Sequence, residues 1–81
     1  MYGSDSVLIV DDIRLKPRHN IINQLINERK IQNMTQEELA IKIGTKKSNI
    51  SRFESGRQNP SLDFLIKIAT CLGKEIIIEI M

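Results

Sequence analysis

Apolar positions change period along this chain. Between about residue 18 and residue 73 they recur at helical spacing, and at both ends they form short runs with strand character. Ile21, Ile22, Leu25 and Ile26 share one stripe, which predicts a first helix from about Arg18 to Gln32. Leu39, Ala40 and Ile43 give a second helix its inner face, and Ile50 with Phe53 does the same for a third. A fourth helix is read to about Leu72, with Leu62, Leu65, Ile66 and Ala69 as its main core face. Phe64, Ile68 and Cys71 form a second apolar set rotated away from the first, so this helix needs cover on two sides, from a terminal strand or another subunit. In the tail, Ile76, Ile78 and Ile80 alternate with Glu75, Ile77 and Glu79, predicting a strand over 74–80 with one wholly apolar face. Val7 to Val10 is β-branched-rich and reads as a short strand. A strand needs a pairing partner, and three remain open for the tail: Val7 to Val10, the same tail of a second chain, or both.

Stop and start residues sharpen the helix boundaries. Thr35 as N-cap places Glu38 at the third helical position, the arrangement of a reciprocal capping box, with Met34 stapling from just outside. Gly44 allows the second helix to stop and turn, Thr45 can cap the third, and Gly56 ends it. Ser61 can cap the fourth, which Gly73 closes. Two short helices joined by a glycine-containing turn form the pattern of a DNA-reading helix-turn-helix.

Composition narrows the class. With 81 residues, 41% of them hydrophobic, the chain reads as one small domain with a modest core, for which dimerisation would add stability. The single cysteine, Cys71, excludes an internal disulfide and a cysteine-pair zinc site, and it reads as core rather than nucleophile. No apolar run approaches the roughly 20 residues of a membrane span, and the start carries acids where a signal peptide carries bases. The expectation is a cytoplasmic protein.

Net charge is only +2, yet its placement is uneven. Residues 42 to 57 hold Lys42, Lys46, Lys47, Arg52 and Arg57 against Glu54 alone, a local +4 that leaves −2 for the rest. A charge run is usually a solvated face. Here it coincides with the outer positions of the third helix, which favours a phosphate-contacting surface. On a helix of about 3.6 residues per turn, Ser48, Ser51, Arg52 and Ser55 lie opposite Ile50 and Phe53, with Lys47 on the flank near the N-terminus.

Other polar residues point to structure rather than chemistry. Arg29 extends the apolar stripe of the first helix, and a cation in that position needs a partner. Glu54, towards the inner flank of the third helix, is the expected one. Adjacent Asp11 and Asp12 on a strand would point to opposite faces, which disfavours joint catalysis or metal binding. His19 has no second histidine or nearby cysteine, so it reads as a surface or cap residue. The chain lacks a glycine-rich phosphate loop, metal-ligand spacing and a nucleophile–base pair, so neither enzyme, metal nor cofactor is expected.

Residues 20 to 73 resemble the helix-turn-helix domain of the Cro/C1 repressor family, also called the XRE family. TQEELAIKIG is similar to the family's TQxxLAxxxG, SNISRFESG to its xxIxxxExG, and NPSLDFLIKIATCLG to its PSLxxLxxIAxxLG. The resemblance implies a mainly α, lambda-repressor-like bundle of about four helices, with a DNA-binding domain at 18–73 between an N-terminal arm at 1–17 and a C-terminal strand segment at 74–81. It implies that Gln36 anchors a phosphate, that Lys47, Ser48 and Ser51 read bases, and that Lys46, Asn49, Arg52 and Arg57 lie nearer the phosphates. Arg29 and Glu54 match the family's structural ion-pair positions. Where many members continue into a fifth helix, this chain has KEIIIEIM, which resembles shorter members whose terminal strand pairs across a dimer, including HipB-like antitoxins.

The resulting expectation is a homodimeric transcriptional regulator, a repressor on a pseudo-palindromic operator in double-stranded DNA. Phe64, Ile68, Ile76, Ile78 and Ile80 are its expected dimer contacts. The alternative is an antitoxin that binds a toxin protein through Phe64, Ile68 or the tail and autoregulates its operon.

Overall fold

The computed structural model describes residues 7–10 and 17–78, with side chains from Asn20 to Ile77. The expectations for Asp11, Asp12 and Ile80, and for the side chains of His19 and Ile78, lie outside the described residues. Elements follow in the order β1 (Val7–Val10), α1 (Pro17–Ile31), α2 (Gln36–Ile43), α3 (Lys47–Glu54), α4 (Leu62–Cys71) and β2 (Glu75–Ile78). The protein is mainly helical, a helix-turn-helix bundle of four helices with a C-terminal strand.

Local chemistry accounts for these boundaries. Pro17 opens α1, where a missing N–H costs nothing and the fixed φ suits a first helical turn. At α2 the Thr35 hydroxyl accepts from the Glu38 N–H at 3.0 Å, and the Glu38 carboxylate accepts from the Thr35 N–H at 2.8 Å, closing the capping box. Those contacts lower the pKa of Glu38, the backbone N–H of Thr35 contributing most. Met34, just before the cap, packs on the apolar core. Gly44 at φ 74° lets the Thr45 N–H turn back to the Ala40 carbonyl at 2.9 Å. The same five-residue return closes α1 (Met34 to Arg29), α3 (Arg57 to Arg52) and α4 (Lys74 to Ala69). At α1 the left-handed residue is Asn33, a side chain that tolerates φ 56° better than most.

The N-cap of α3 is Lys46 rather than the expected Thr45, and it makes no side-chain cap bond. Thr45 is occupied on both sides. Its N–H closes α2, and its hydroxyl accepts from Asn49 Nδ2 at 2.7 Å. The turn is too short for one residue to finish α2 and cap α3 as well.

The core is a single cluster built from all four helices: Ile21, Ile22 and Leu25 of α1, Leu39 and Ala40 of α2, Ile50 and Phe53 of α3, and Ile68 and Ala69 of α4, with Leu72 just beyond. This overturns part of the reading of α4. Leu62 and Ile66, expected inside, are 54% and 45% exposed, whereas Ile68, expected at a dimer contact, is fully buried. Phe64 is half-buried, and its ring meets Phe53 edge-to-face at 5.6 Å between centroids. Asp63, Lys67 and Thr70 recur at i, i+4 and i+7 on one exposed side of α4 with Ile66 among them, so the inner side is the opposite one, centred on Leu65, Ile68 and Leu72. Cys71 is half-buried against the core.

Strand β2 takes its partner from the same chain. It pairs parallel to β1, with Val7 opposite Glu75 and Val10 opposite Ile78. The helices form the crossover that parallel strands require. Ile76, expected at a dimer contact, is half-buried and packs against the chain's own core. Gln32 Nε2 donates to the Leu72 carbonyl at 2.7 Å, tying the end of α1 to the end of α4 just before β2.

Candidate nucleic-acid interface

Helix α3 has a dry side and a wet side. Ile50 and Phe53 are 0% and 1% exposed, and Ser48, Ser51, Arg52 and Ser55 on the opposite side are open to solvent. Lys46 and Lys47 at the N-terminal end are exposed, as is Arg57 in the loop beyond the helix. Asn49 is half-buried and engaged within the chain: it donates to Thr45 and accepts from Arg52 Nη2 at 2.6 Å. Arg52 is thereby steadied along the helix surface by its neighbour one turn back.

Beneath this face lies an ion pair. Arg29 donates from Nε to Glu54 Oε2 at 2.7 Å and from Nη2 to Oε1 at 2.9 Å, and its Nη1 donates to the Met34 carbonyl at 2.7 Å. The two side chains are 9% and 8% exposed. A bidentate guanidinium–carboxylate pair away from water holds its geometry well, so α1 and α3 are locked in angle to each other. The pair does not end there. Gln36 Nε2, at the first position of α2, donates to Glu54 Oε1 at 2.9 Å. Three of the four helices thus meet at one carboxylate. Sequence reasoning missed this third member, since the i, i+18 relation of Gln36 and Glu54 has no periodic trace.

An open groove runs between the N-termini of α2 and α3, lined by Arg29, Thr35, Gln36, Glu37 and Lys47. Two helix N-termini, Lys47 and the Gln36 carboxamide supply donors at its rim, with Glu37 as the acidic member of the lining. Of the residues expected at DNA, Gln36 and Lys47 line this groove, and Lys46, Ser48, Ser51 and Arg52 are exposed on α3 or at its N-cap. Among the described residues, no group of three or more His, Cys, Asp or Glu side chains converges as a metal site, and no helix is long and apolar enough to cross a membrane.

A short helix held by a tight turn against a second helix, with a basic and hydroxyl-bearing outer side, defines the class: a helix-turn-helix domain. Comparison with known proteins agrees, because residues 25–77 match the sequence profile described as helix-turn-helix. The chain belongs to this helix-turn-helix family, of the Cro/C1 or XRE type. It is 41% identical over 54 residues to an uncharacterized HTH-type transcriptional regulator of Methanocaldococcus jannaschii, covering 67% of this chain and 82% of the relative. A second such regulator, of Methanothermobacter thermautotrophicus, is 46% identical over 57 residues, covering 69% and 83%. The cryptic phage CTXphi transcriptional repressor RstR of Vibrio cholerae is 38% identical over 52 residues, covering 64% of this chain and 46% of the repressor. No solved structure matches the chain significantly.

Proposed function

We propose that this protein is a sequence-specific DNA-binding transcriptional regulator that represses from a pseudo-palindromic operator as a homodimer. The observation that carries the reading is α3 itself. Its apolar side is sealed against the core while Lys46, Lys47, Ser48, Ser51 and Arg52 stand open on the other. The names borne by its relatives, transcriptional regulators and in one case a phage repressor, point the same way.

In this mechanism the N-terminal end of α3 enters the major groove. Lys47 reaches guanine acceptors, and the hydroxyls of Ser48 and Ser51 donate or accept at base edges. Gln36, Lys46, Arg52 and Arg57 meet the phosphate backbone, with Asn49 bracing Arg52 from behind. One helix of this length reads only a few base pairs, so a second copy is needed at a half-site about 34 Å away. Among the described residues β1 and β2 pair only with each other, leaving each strand an outer edge at which a second copy can join.

Capture of a toxin by the antitoxin route is the second reading, and the burial of Ile68 with the half-buried packing of Ile76 removes surface from it and from the dimer contacts alike.

The test is a selection of bound sequences from a random duplex pool. Enrichment of a two-fold symmetric sequence is expected, and a bound pool no different from the input would refute sequence-specific binding. For the tail, deletion of residues 74 to 81 should give a monomer or an unfolded chain by light scattering. An intact dimer after the deletion would refute the tail as the joint.

A further inference from the structure

The buried ion pair has a geometry that reaches beyond the fold. Glu54 Oε1 accepts from Arg29 Nη2 and from Gln36 Nε2, each at 2.9 Å, while Oε2 accepts from Arg29 Nε at 2.7 Å. Arg29 is itself held by the Met34 carbonyl, one residue before the Thr35 cap of α2. The guanidinium fork therefore fixes the carboxylate, and the carboxylate fixes the Gln36 amide. A carboxamide nitrogen carries two protons. One of them faces Glu54, and the other is left to donate from the first position of α2, on the rim of the groove shared with Lys47.

We propose that Arg29 and Glu54 are positioning residues for DNA binding: the buried pair orients the Gln36 amide in advance so that its second N–H meets a backbone phosphate beside Lys47. This rests on the DNA-binding reading above. A glutamine at a helix start would otherwise lose rotamer freedom on binding, and prior orientation removes that cost. Arg29 has a second effect. Its charge neutralises a carboxylate that lies close behind the groove and would otherwise repel phosphate. Neither residue touches DNA in this scheme, and both act through Gln36.

A purely structural ion pair would leave the contribution of Gln36 to DNA binding unchanged, and this separates the two roles. The experiment is a double-mutant cycle on the full chain, with affinity measured for a mixed-sequence duplex of about 30 base pairs at about 50 mM salt, where phosphate contacts dominate. All measurements are made well below the unfolding midpoint of every variant. Gln36→Ala should weaken binding about tenfold in the parent, as loss of a hydrogen bond to a charged group does. In the Arg29→Met, Glu54→Leu background, already about tenfold weaker, the same change should cost less than about twofold more, the limit of additivity error. An undiminished tenfold loss in that background overturns the positioning role and leaves the DNA-binding reading standing. No loss on Gln36→Ala in the parent overturns Gln36 as a DNA contact and this inference with it. A second measurement needs no variant: the Gln36 side-chain amide of the free protein should be as ordered as the backbone by nitrogen relaxation. An order parameter below about 0.6 would overturn the inference.

Discussion

Helices α3 and α4 solve the same packing problem with different amounts of information. Each buries one side against the same core, with Ile50 and Phe53 from α3 and Ile68 and Ala69 from α4. On α3 every outward position is charged or hydroxyl-bearing, so the inner side follows from the sequence. On α4 there is an apolar surplus. Leu62, Phe64, Leu65, Ile66, Ile68, Ala69 and Cys71 span a wide arc in which two different stripes satisfy helical spacing, and only the narrow polar stripe of Asp63, Lys67 and Thr70 marks the outer side. A polar face is thus as informative about packing as an apolar one, because it states which side the core cannot take.

The difference can be broken at its strongest point by removing Glu54 from α3. Glu54→Leu leaves Arg29 buried without its partner and should destabilise by about 3–5 kcal/mol in denaturant unfolding. Adding Arg29→Met should recover most of that loss. A double variant no more stable than the single would show that the two residues are not coupled. On α4, Ile68→Ala should cost about 3 kcal/mol through the cavity it leaves, whereas Ile66→Ala two residues away should cost under about 1 kcal/mol. Equal costs would refute the assignment of the inner side. Arg52→Ala, on the outer side of α3, should move stability by no more than about 0.5 kcal/mol while lowering the salt slope of DNA binding by about one. A large change in unfolding midpoint would make Arg52 structural instead.

A local effect belongs to the cap that starts α2 and so presents Gln36. Thr35→Ala should cost about 1 kcal/mol. Glu38 has a pKa lowered chiefly by the Thr35 N–H and also by the Thr35 hydroxyl. Its contribution to stability is therefore present above the ordinary carboxylate pKa and is lost as pH falls through the lowered value. Glu38→Gln should flatten that acid limb of the stability profile, and an unchanged limb would mean that the capping box does not form in solution.

Several elements were legible because their causes are local. The capping box depends on two residues three apart, the turn after α2 on a residue at φ 74°, and the start of α4 on Ser61, whose hydroxyl accepts from the Phe64 N–H at 3.1 Å. Arg29 and Glu54 each interrupt or border an apolar stripe, a trace that survives in one dimension. The N-cap of α3 was misread because Thr45 was judged alone, without the two bonds that occupy it. The role of Gln36 towards Glu54 was invisible for a related reason: it depends on the angle between α2 and α3, which no spacing encodes.

By itself the sequence determined the helices, their caps, the glycine turn and the polar outer side of α3, since each rests on contacts within a few residues or on periodicity along one element. Only the tertiary structure decided how the wide apolar arc of α4 divides between core and surface, that β2 lies parallel to β1 of its own chain, and that Arg29 and Gln36 converge on the Glu54 carboxylate. Those outcomes depend on the relative placement of elements far apart in the chain, where several arrangements satisfy the same local pattern and close packing selects among them.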